Sequence, residues 1–228
     1  MVKFRVANEG KMLMVKKTLK QRIVEASLIL FQQDGYHGVT VDRIVEYIGA
    51  SKGGFYHNFK SKDELLYEIH DVFISYVIKK SQAAYDQYDT PISRLCAMVQ
   101  TLTEVFDVYQ AHITVFYEES GSLPEVYSEL IHKKRNHYRN ILQKVIVEGQ
   151  QTNDFRSELP STIVTMAIVG MINWTYKWYK QTGPLTMEEI TVVFTDMILH
   201  SIVTEQAREE ATQFMMTMKP ATETGFIN

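Results

Sequence analysis

From Lys16 onward the apolar positions recur with helical spacing. Leu19, Ile23, Ala26 and Leu30 are four, three and four residues apart and share one stripe. Gly35 closes this first helix, as a glycine just past a helix end does. Thr40 has the chemistry of an N-cap for a short second helix with Val41, Ile44, Val45 and Ile48 turned inward, and Gly49 breaks it after two turns. Ser51 caps a third short helix to about Asn58, with Phe55 and Phe59 inward. Ser61-Lys-Asp-Glu64 is a capping box, each side chain serving the other residue's N–H. It precedes a long helix through Leu65, Leu66, Ile69, Phe73 and Val77 to about Tyr85.

The remainder continues with the same period. Pro91 opens a helix over about 91–109, and a short piece over 112–119 follows. Pro124 opens another over 124–149, closed by Gly149. Pro160 starts a helix to about Lys180. Gly183-Pro184 makes a turn, and Thr186-Met-Glu-Glu189 caps a last long helix ending before Pro220. No strand pair, hairpin signal or internal repeat stands out, so the expectation is an all-α protein of about nine helices.

Composition adds little until it is divided along the chain. The 228 residues are 45% hydrophobic and 22% charged, too apolar for disorder and long enough to bury a sizeable core. A single cysteine, Cys96, leaves no intramolecular disulfide and no Cys-based zinc finger; on a periodic apolar helix it reads as inert core. No apolar run approaches the roughly 18 residues of a membrane span. Lys3, Arg5 and Glu9 interrupt the start, so no secretory leader is read there and the expected location is the cytoplasm. Residues 1–15 read as a basic flexible arm, with Met12 and Met14 as alternative starts that leave residues 1–13 open. The net charge of −3 conceals a dipole. Residues 1–62 carry 11 Lys and Arg against 5 Asp and Glu, a net of +6, whereas residues 63–228 carry 13 against 22, a net of −9. A basic head on an acidic body is the footprint of a protein that meets phosphates through one end.

Within that head, two short helices joined by a glycine turn form a helix-turn-helix pattern. A recognition helix must expose its N-terminus, which suits Ser51, Lys52, Gly53 and Gly54. The two glycines sacrifice helix propensity of roughly 1 kcal/mol each and let the backbone approach DNA. Residues 18–66, above all Gly49-Ala-Ser-Lys-Gly-Gly-Phe-Tyr-His-Asn-Phe-Lys-Ser-Lys-Asp-Glu-Leu-Leu66, resemble the DNA-binding domain of the TetR family of transcriptional repressors, and Phe31…Gly35-Tyr-His-Gly-Val-Thr40 fits as well. The resemblance implies phosphate contacts from Thr40, Tyr56, His57, Lys60 and Lys62. It also implies contacts to base edges or nearby phosphates from Ser51, Lys52, Gly53, Gly54 and Asn58. Asp42 departs from the pattern, being acidic where a DNA-reading side chain can stand. The double glycine shifts discrimination toward DNA shape.

The same resemblance divides the chain into the arm (1–15), a helix-turn-helix DNA-binding domain (16–62), an effector-binding and dimerisation domain (63–218) and a tail (219–228). It implies no cofactor and no membrane partner. It implies a homodimer on a double-stranded palindromic operator, released by a small hydrophobic or amphipathic effector. The expected dimer surface is a four-helix bundle from the last two helices of each subunit, through Ala167, Gly170 and Met171 and the stripe Ile190, Val193, Phe194, Met197, Ile198 and Ser201; burial within one subunit is the alternative. Gly170-Met-Ile-Asn-Trp-Thr-Tyr-Lys-Trp-Tyr179 is similar to the matching helix of TetR-type regulators of fatty-acid and sterol catabolism, which respond to acyl-CoA thioesters. Asn173, Trp174, Tyr176 and Trp178 are candidates for one wall of an apolar tunnel, and Phe73, Val77, Phe106, Tyr109, Phe116 and Tyr117 for the opposite wall. Aromatic stripes are also common in cores and interfaces, so that reading stays open. His132-Lys-Lys-Arg135 with Arg139 and Lys144 reads first as a solvated face and second as a neutraliser of CoA phosphates. The rival effector class is a hydrophobic or cationic drug.

Other classes find less support. The sequence has no P-loop, G-x-S-x-G or dinucleotide fingerprint. Glu118 and Glu119, adjacent on a helix, point about 100° apart and do not converge. His132 and His137 are five residues apart rather than the four that would place two ligands on one helix face. A binding module without DNA function conflicts with the intact head.

Overall fold

The computed structural model describes residues 5–6, 12–13 and 17–218. These contain ten α-helices: α1 (Leu19–Gly38), α2 (Val41–Tyr47), α3 (Lys52–Asn58), α4 (Lys62–Gln87), α5 (Pro91–Glu118), α6 (Glu125–Gln151), α7 (Ser161–Asn173), α8 (Thr175–Trp178), α9 (Met187–Ile202) and α10 (Arg208–Met218). Extended pairing among the described residues is confined to a two-residue ladder, β1 (Arg5–Val6) antiparallel to β2 (Met12–Leu13), and one bridge between Phe155 and Val203. The fold is all-α. The rest of the 1–15 arm, and the 219–228 tail, lie outside the described residues.

Capping chemistry builds the starts of the helices. Thr40, Ser51, Ser61 and Thr186 each accept the N–H three residues on, from Arg43, Gly54, Glu64 and Glu189, at 3.0–3.2 Å. The Ser61 box is displaced by one residue, because the Glu64 carboxylate takes the N–H of Lys60 rather than that of Ser61. Gly35 and Gly49 adopt φ of +70° and +63°, which explains a glycine before α2 and another in the turn between α2 and α3. Past Gly35 the chain turns once more to Gly38 before α2 begins.

Helix α5 is the spine of the body, touching α1, α4, α6, α8, α9 and α10. It runs unbroken over the expected 91–109 and 112–119 segments and kinks at Tyr109 (φ −125°, ψ 25°). Gly149 does not close α6, which continues to Gln151. A Cβ at Gly149 would lie 2.1 Å from the buried ring of Phe155, so the glycine provides clearance instead. The 160–180 helix divides at Trp174 into α7 and α8. The last helix divides after Ile202, where the α6–α7 loop ties down the end of α9. Arg156 N–H donates to the Ile202 carbonyl at 2.8 Å, Thr204 N–H donates to that of Asp154 at 2.9 Å, and the Thr204 hydroxyl receives the N–H of Ala207.

Two polar clusters lock α4 to its neighbours. Glu148 on α6 receives Tyr85 Oη at 2.6 Å and Arg94 Nη1 at 3.0 Å, joining α4, α5 and α6. Nearer the head, Lys134 on α6 bonds Asp71 and donates to Ser75 Oγ at 2.7 Å, both on α4. No helix among the described residues is long and apolar enough to cross a membrane.

Candidate nucleic-acid interface and ligand chamber

The head is a small three-helix core. Ile23, Ile44, Phe55 and Phe59 are almost wholly buried, with the Phe55 and Phe59 rings 5.7 Å apart. Burying those positions of the two-turn α3 leaves Ser51, Lys52, Gly53, Tyr56 and His57 on its outer side. Tyr56 is 53% exposed, unusual for a tyrosine without a partner surface. Thr40 and Lys60 are exposed beside it. These seven residues are all exposed.

Three expected contact residues face elsewhere. Lys62 is half-buried: its ammonium donates to the carbonyls of Tyr36 (2.8 Å) and Val39 (2.7 Å) and sits 4.1 Å over the Tyr36 ring. It closes the C-terminal end of α1, and burial pushes its pKa down. Asn58 turns its amide back onto the Gly54 carbonyl at 2.8 Å. Gly54 serves packing, since a Cβ there would meet Leu19 Cδ2 of α1 at 2.9 Å, whereas one at Gly53 would make only an ordinary contact with Ser51 Oγ at 3.8 Å. Lys52 is exposed and paired with Asp42 across the helix-turn-helix at 2.8 Å, so the acidic departure in α2 partly neutralises the recognition helix.

Head and body meet through Tyr36. Its hydroxyl bonds Asp63 on α4, and its N–H donates to Glu119 Oε1 at 3.0 Å, at the end of α5; Glu119 Oε2 receives Ser122 Oγ at 2.9 Å. Burial and the Asp63 carboxylate push the Tyr36 pKa well up, keeping it a donor. The α5 residues Phe116 and Tyr117, three and two positions before Glu119, form part of a cavity wall.

That cavity, about 480 Å³, lies between α4, α5, α6 and α7 and is of the size used for small ligands. Phe73, Ile74 and Val77 of α4 and Leu102, Val105 and Phe106 of α5 give it an apolar wall. His132, Arg135, Asn136, Tyr138 and Arg139 of α6 give it a polar one, and Met166, Val169 and Asn173 of α7 complete it. No aspartate or glutamate is among the lining residues. Phe73, Val77, Phe106, Phe116, Tyr117 and Asn173 thus come together as expected. Tyr109 does not join them, packing on Tyr76 (4.9 Å) and His112 (5.2 Å) at the kink. Trp174 and Trp178 also stay away. The break at Trp174 turns them to the outside, where they are 63% and 45% exposed, and Tyr176 stacks on Tyr117 at 4.6 Å.

Of the charge run, His132, Lys133 and Lys144 are exposed as on a solvated face, whereas Lys134, Arg135 and Arg139 are half-buried. Ile131, Arg135, Tyr138, Leu142 and Val145 are spaced four, three, four and three, so Arg135 occupies an inward position of the apolar stripe of α6. That spacing was the available signal. Cys96 is fully buried, its thiol pushed up to about 12 by burial, as expected of an inert core cysteine.

On the far side, α7, α8 and α9 present an apolar surface. Ile163, Ala167, Gly170, Trp174, Trp178, Val193 and Met197 are exposed, and Met171 and Phe194 are half-buried. Ile190 and Ile198 face the protomer's own core, which removes them from the expected dimer stripe.

Comparison with known proteins agrees with this arrangement. Residues 23–69 match the family model described as bacterial regulatory proteins, tetR family. Residues 88–202, half of the chain, match the one described as tetracyclin repressor-like, C-terminal domain. The HTH-type transcriptional repressor KstR2 of Mycolicibacterium smegmatis is 22% identical over 193 residues, 84% of this chain and 94% of that protein. The TetR family transcriptional regulator PfmR from Thermus thermophilus superposes with a TM-score of 0.74 at 25% identity, over 78% of this chain and 97% of that one. AibR, in a crystal structure with isovaleryl coenzyme A and operator DNA, gives 0.70 at 22% identity, over 78% and 96%. With its outward helix-turn-helix and its body both matched, the chain belongs to the TetR family of transcriptional repressors, DNA-binding regulators rather than enzymes.

Proposed function

We propose that this repressor acts in the cytoplasm as a homodimer on a palindromic operator and is released when an amphipathic effector, foremost an acyl-CoA thioester, enters the chamber beside α4. Residues 16–62 are the DNA-binding unit and 63–218 the effector-binding and dimerisation unit. Ser51, Lys52 and Gly53 at the start of α3 meet the major groove, while Thr40, Tyr56, His57 and Lys60 hold phosphates. Paired heads would sit in successive major grooves, roughly 34–36 Å apart. The exposed face of α7–α9 is the dimer surface, an apolar area that soluble monomers seldom leave in water.

The observation that carries the effector reading is the two-sided cavity, apolar on α4 and α5 and cationic on α6. AibR, which shares the fold, has been crystallised with isovaleryl coenzyme A, an amphiphile of this kind. A cationic drug finds no carboxylate in the lining, which places the multidrug reading second. Ligand binding shifts the heads only through its differential affinity for two arrangements. The chain offers two links for this: Lys134–Asp71, from α6 to α4, and Glu119–Tyr36, from α5 to α1.

The test is anisotropy of a labelled operator fragment titrated with acyl-CoA thioesters of graded length, with free fatty acids and hydrophobic cations in parallel. Release by a thioester at concentrations where the cation has no effect supports the reading. Release by cations alone replaces it with the multidrug one.

A further inference from the structure

The body contains five arginines. Arg94, Arg156 and Arg208 are each ion-paired with a glutamate, at 3.0, 2.8 and 2.9 Å. Arg135 and Arg139 have no carboxylate partner among the described residues, and both line the chamber. Arg139 bonds only the Asn136 side chain and Met166 Sδ (3.7 Å), near the rim. Arg135 lies deeper, its guanidinium 4.3 Å over the Phe116 ring and 5.9 Å from that of Tyr117. Burial lowers its pKa, Tyr117 opposes this, and the Arg139 charge adds to the lowering. One turn on, Tyr138 contributes to the lining of the same cavity, and its buried hydroxyl has no hydrogen-bond partner. A half-buried unpaired guanidinium and a buried unpaired hydroxyl are each costly alone. A single guest bearing anionic oxygen relieves both.

We propose that Arg135, with Tyr138 one turn on and Arg139 at the rim, is the anion subsite of the effector chamber, so that the effector is an amphiphile whose anionic oxygens meet Arg135 while its apolar part lies on Phe73, Val77 and Phe106. The inference rests on reading this cavity as the effector chamber. Two sources supply the chemistry: the carboxylate of a free apolar acid, or a phosphate of a coenzyme conjugate whose bulk passes out over His132, Asn136 and Arg139.

Calorimetry on the full chain without DNA tests it with decanoic acid, decanoyl-CoA, decanol and decyltrimethylammonium. At least one of the two anions is expected to bind tenfold or more tighter than decanol, a hydrogen bond to a charged group being worth that much. Arg135→Met should abolish this preference while circular dichroism and the melting curve report a folded chain. Tyr138→Phe should weaken the anion several-fold and leave the unliganded protein as stable or slightly more so, because it deletes an unpaired buried hydroxyl. Tighter binding of the acid, unaffected by Arg139→Met, identifies a carboxylate; tighter binding of the thioester, weakened by Arg139→Met, identifies a phosphate. Decanol or the ammonium binding as well as the anions, retention of the preference in Arg135→Met, or no binding by either anion overturns the subsite. If decanol nevertheless releases operator DNA, the effector chamber stands and only the anion subsite falls.

Discussion

Replacing Lys62 by methionine separates a structural lysine from a DNA-contacting one. In the folded protein its ammonium donates to the carbonyls of Tyr36 and Val39 at 2.8 and 2.7 Å, the first of which also receives the Val39 N–H at 3.3 Å. Hydrogen bonds to a charged group contribute about 1.5–3 kcal/mol each. Lys62 is only half-buried, so solvent offsets part of this and a net loss of about 2–4 kcal/mol is expected. For a chain of this size each kcal/mol is worth roughly 2–4 °C in Tm, so the melting curve should move by several degrees at least. The DNA side is read by fluorescence anisotropy on a duplex at several salt concentrations, below the variant's Tm. A lysine on a phosphate contributes about 0.9 to the slope of log K against log salt. Lys62→Met should leave that slope unchanged. Lys60→Met, removing an exposed side chain, should lower it by about 0.9 with little effect on Tm. A slope that drops in Lys62→Met while Tm stays put would refute the assignment and return Lys62 to the DNA surface.

Four further expectations follow from particular contacts. Gly149→Ala should destabilise by about 1–3 kcal/mol or more, because its Cβ would lie 2.1 Å from the Phe155 ring; an unchanged denaturant midpoint would contradict this. Met197→Glu puts a charge on the exposed α7–α9 face and should shift sedimentation toward monomer without altering the helical signal, whereas an unchanged species would move the dimer surface elsewhere. Burial holds His70 down to about 3 and His112 to about 4, below the ordinary 6.5. The unfolded chain therefore takes up protons first, and stability present above pH 6.5 should be lost between about pH 6.5 and 4, by roughly 1 kcal/mol per pH unit per histidine. Denaturant titrations showing no acid slope over that interval, or the same slope in His112→Gln, would count against those assignments. Tyr56→Ala should weaken operator binding and leave dimer and effector affinity intact; loss of folding instead would make Tyr56 structural.

What could be read in the sequence was local chemistry. The caps at Thr40, Ser51 and Thr186, and the left-handed glycines Gly35 and Gly49, depend on three or four consecutive residues, and they stand where those residues put them. Gly54 and Gly149 look no different in sequence, yet each is fixed by a side chain from elsewhere, Leu19 and Phe155. Lys62 sits in a basic motif, but the carbonyls that claim it are more than twenty residues upstream. The aromatic run after Gly170 suggested one continuous wall. The helix breaks within it at Trp174, and one break re-aims every later side chain, so Asn173 enters the chamber while Trp174 and Trp178 face out. Arg135 was legible in principle, as a charged position at the spacing of the apolar stripe of α6, and the flanking charges His132, Lys133 and Lys134 obscured it.

We propose that a basic head of net charge +6 reads duplex DNA on behalf of an acidic body that senses a small molecule. The most direct measurement is an anisotropy titration of the full chain against genomic operator fragments, repeated across salt and then with the effector series. The account expects saturable binding that weakens linearly in log K against log salt, and release by an anionic amphiphile. Absence of saturable, salt-dependent binding to any fragment would contradict it.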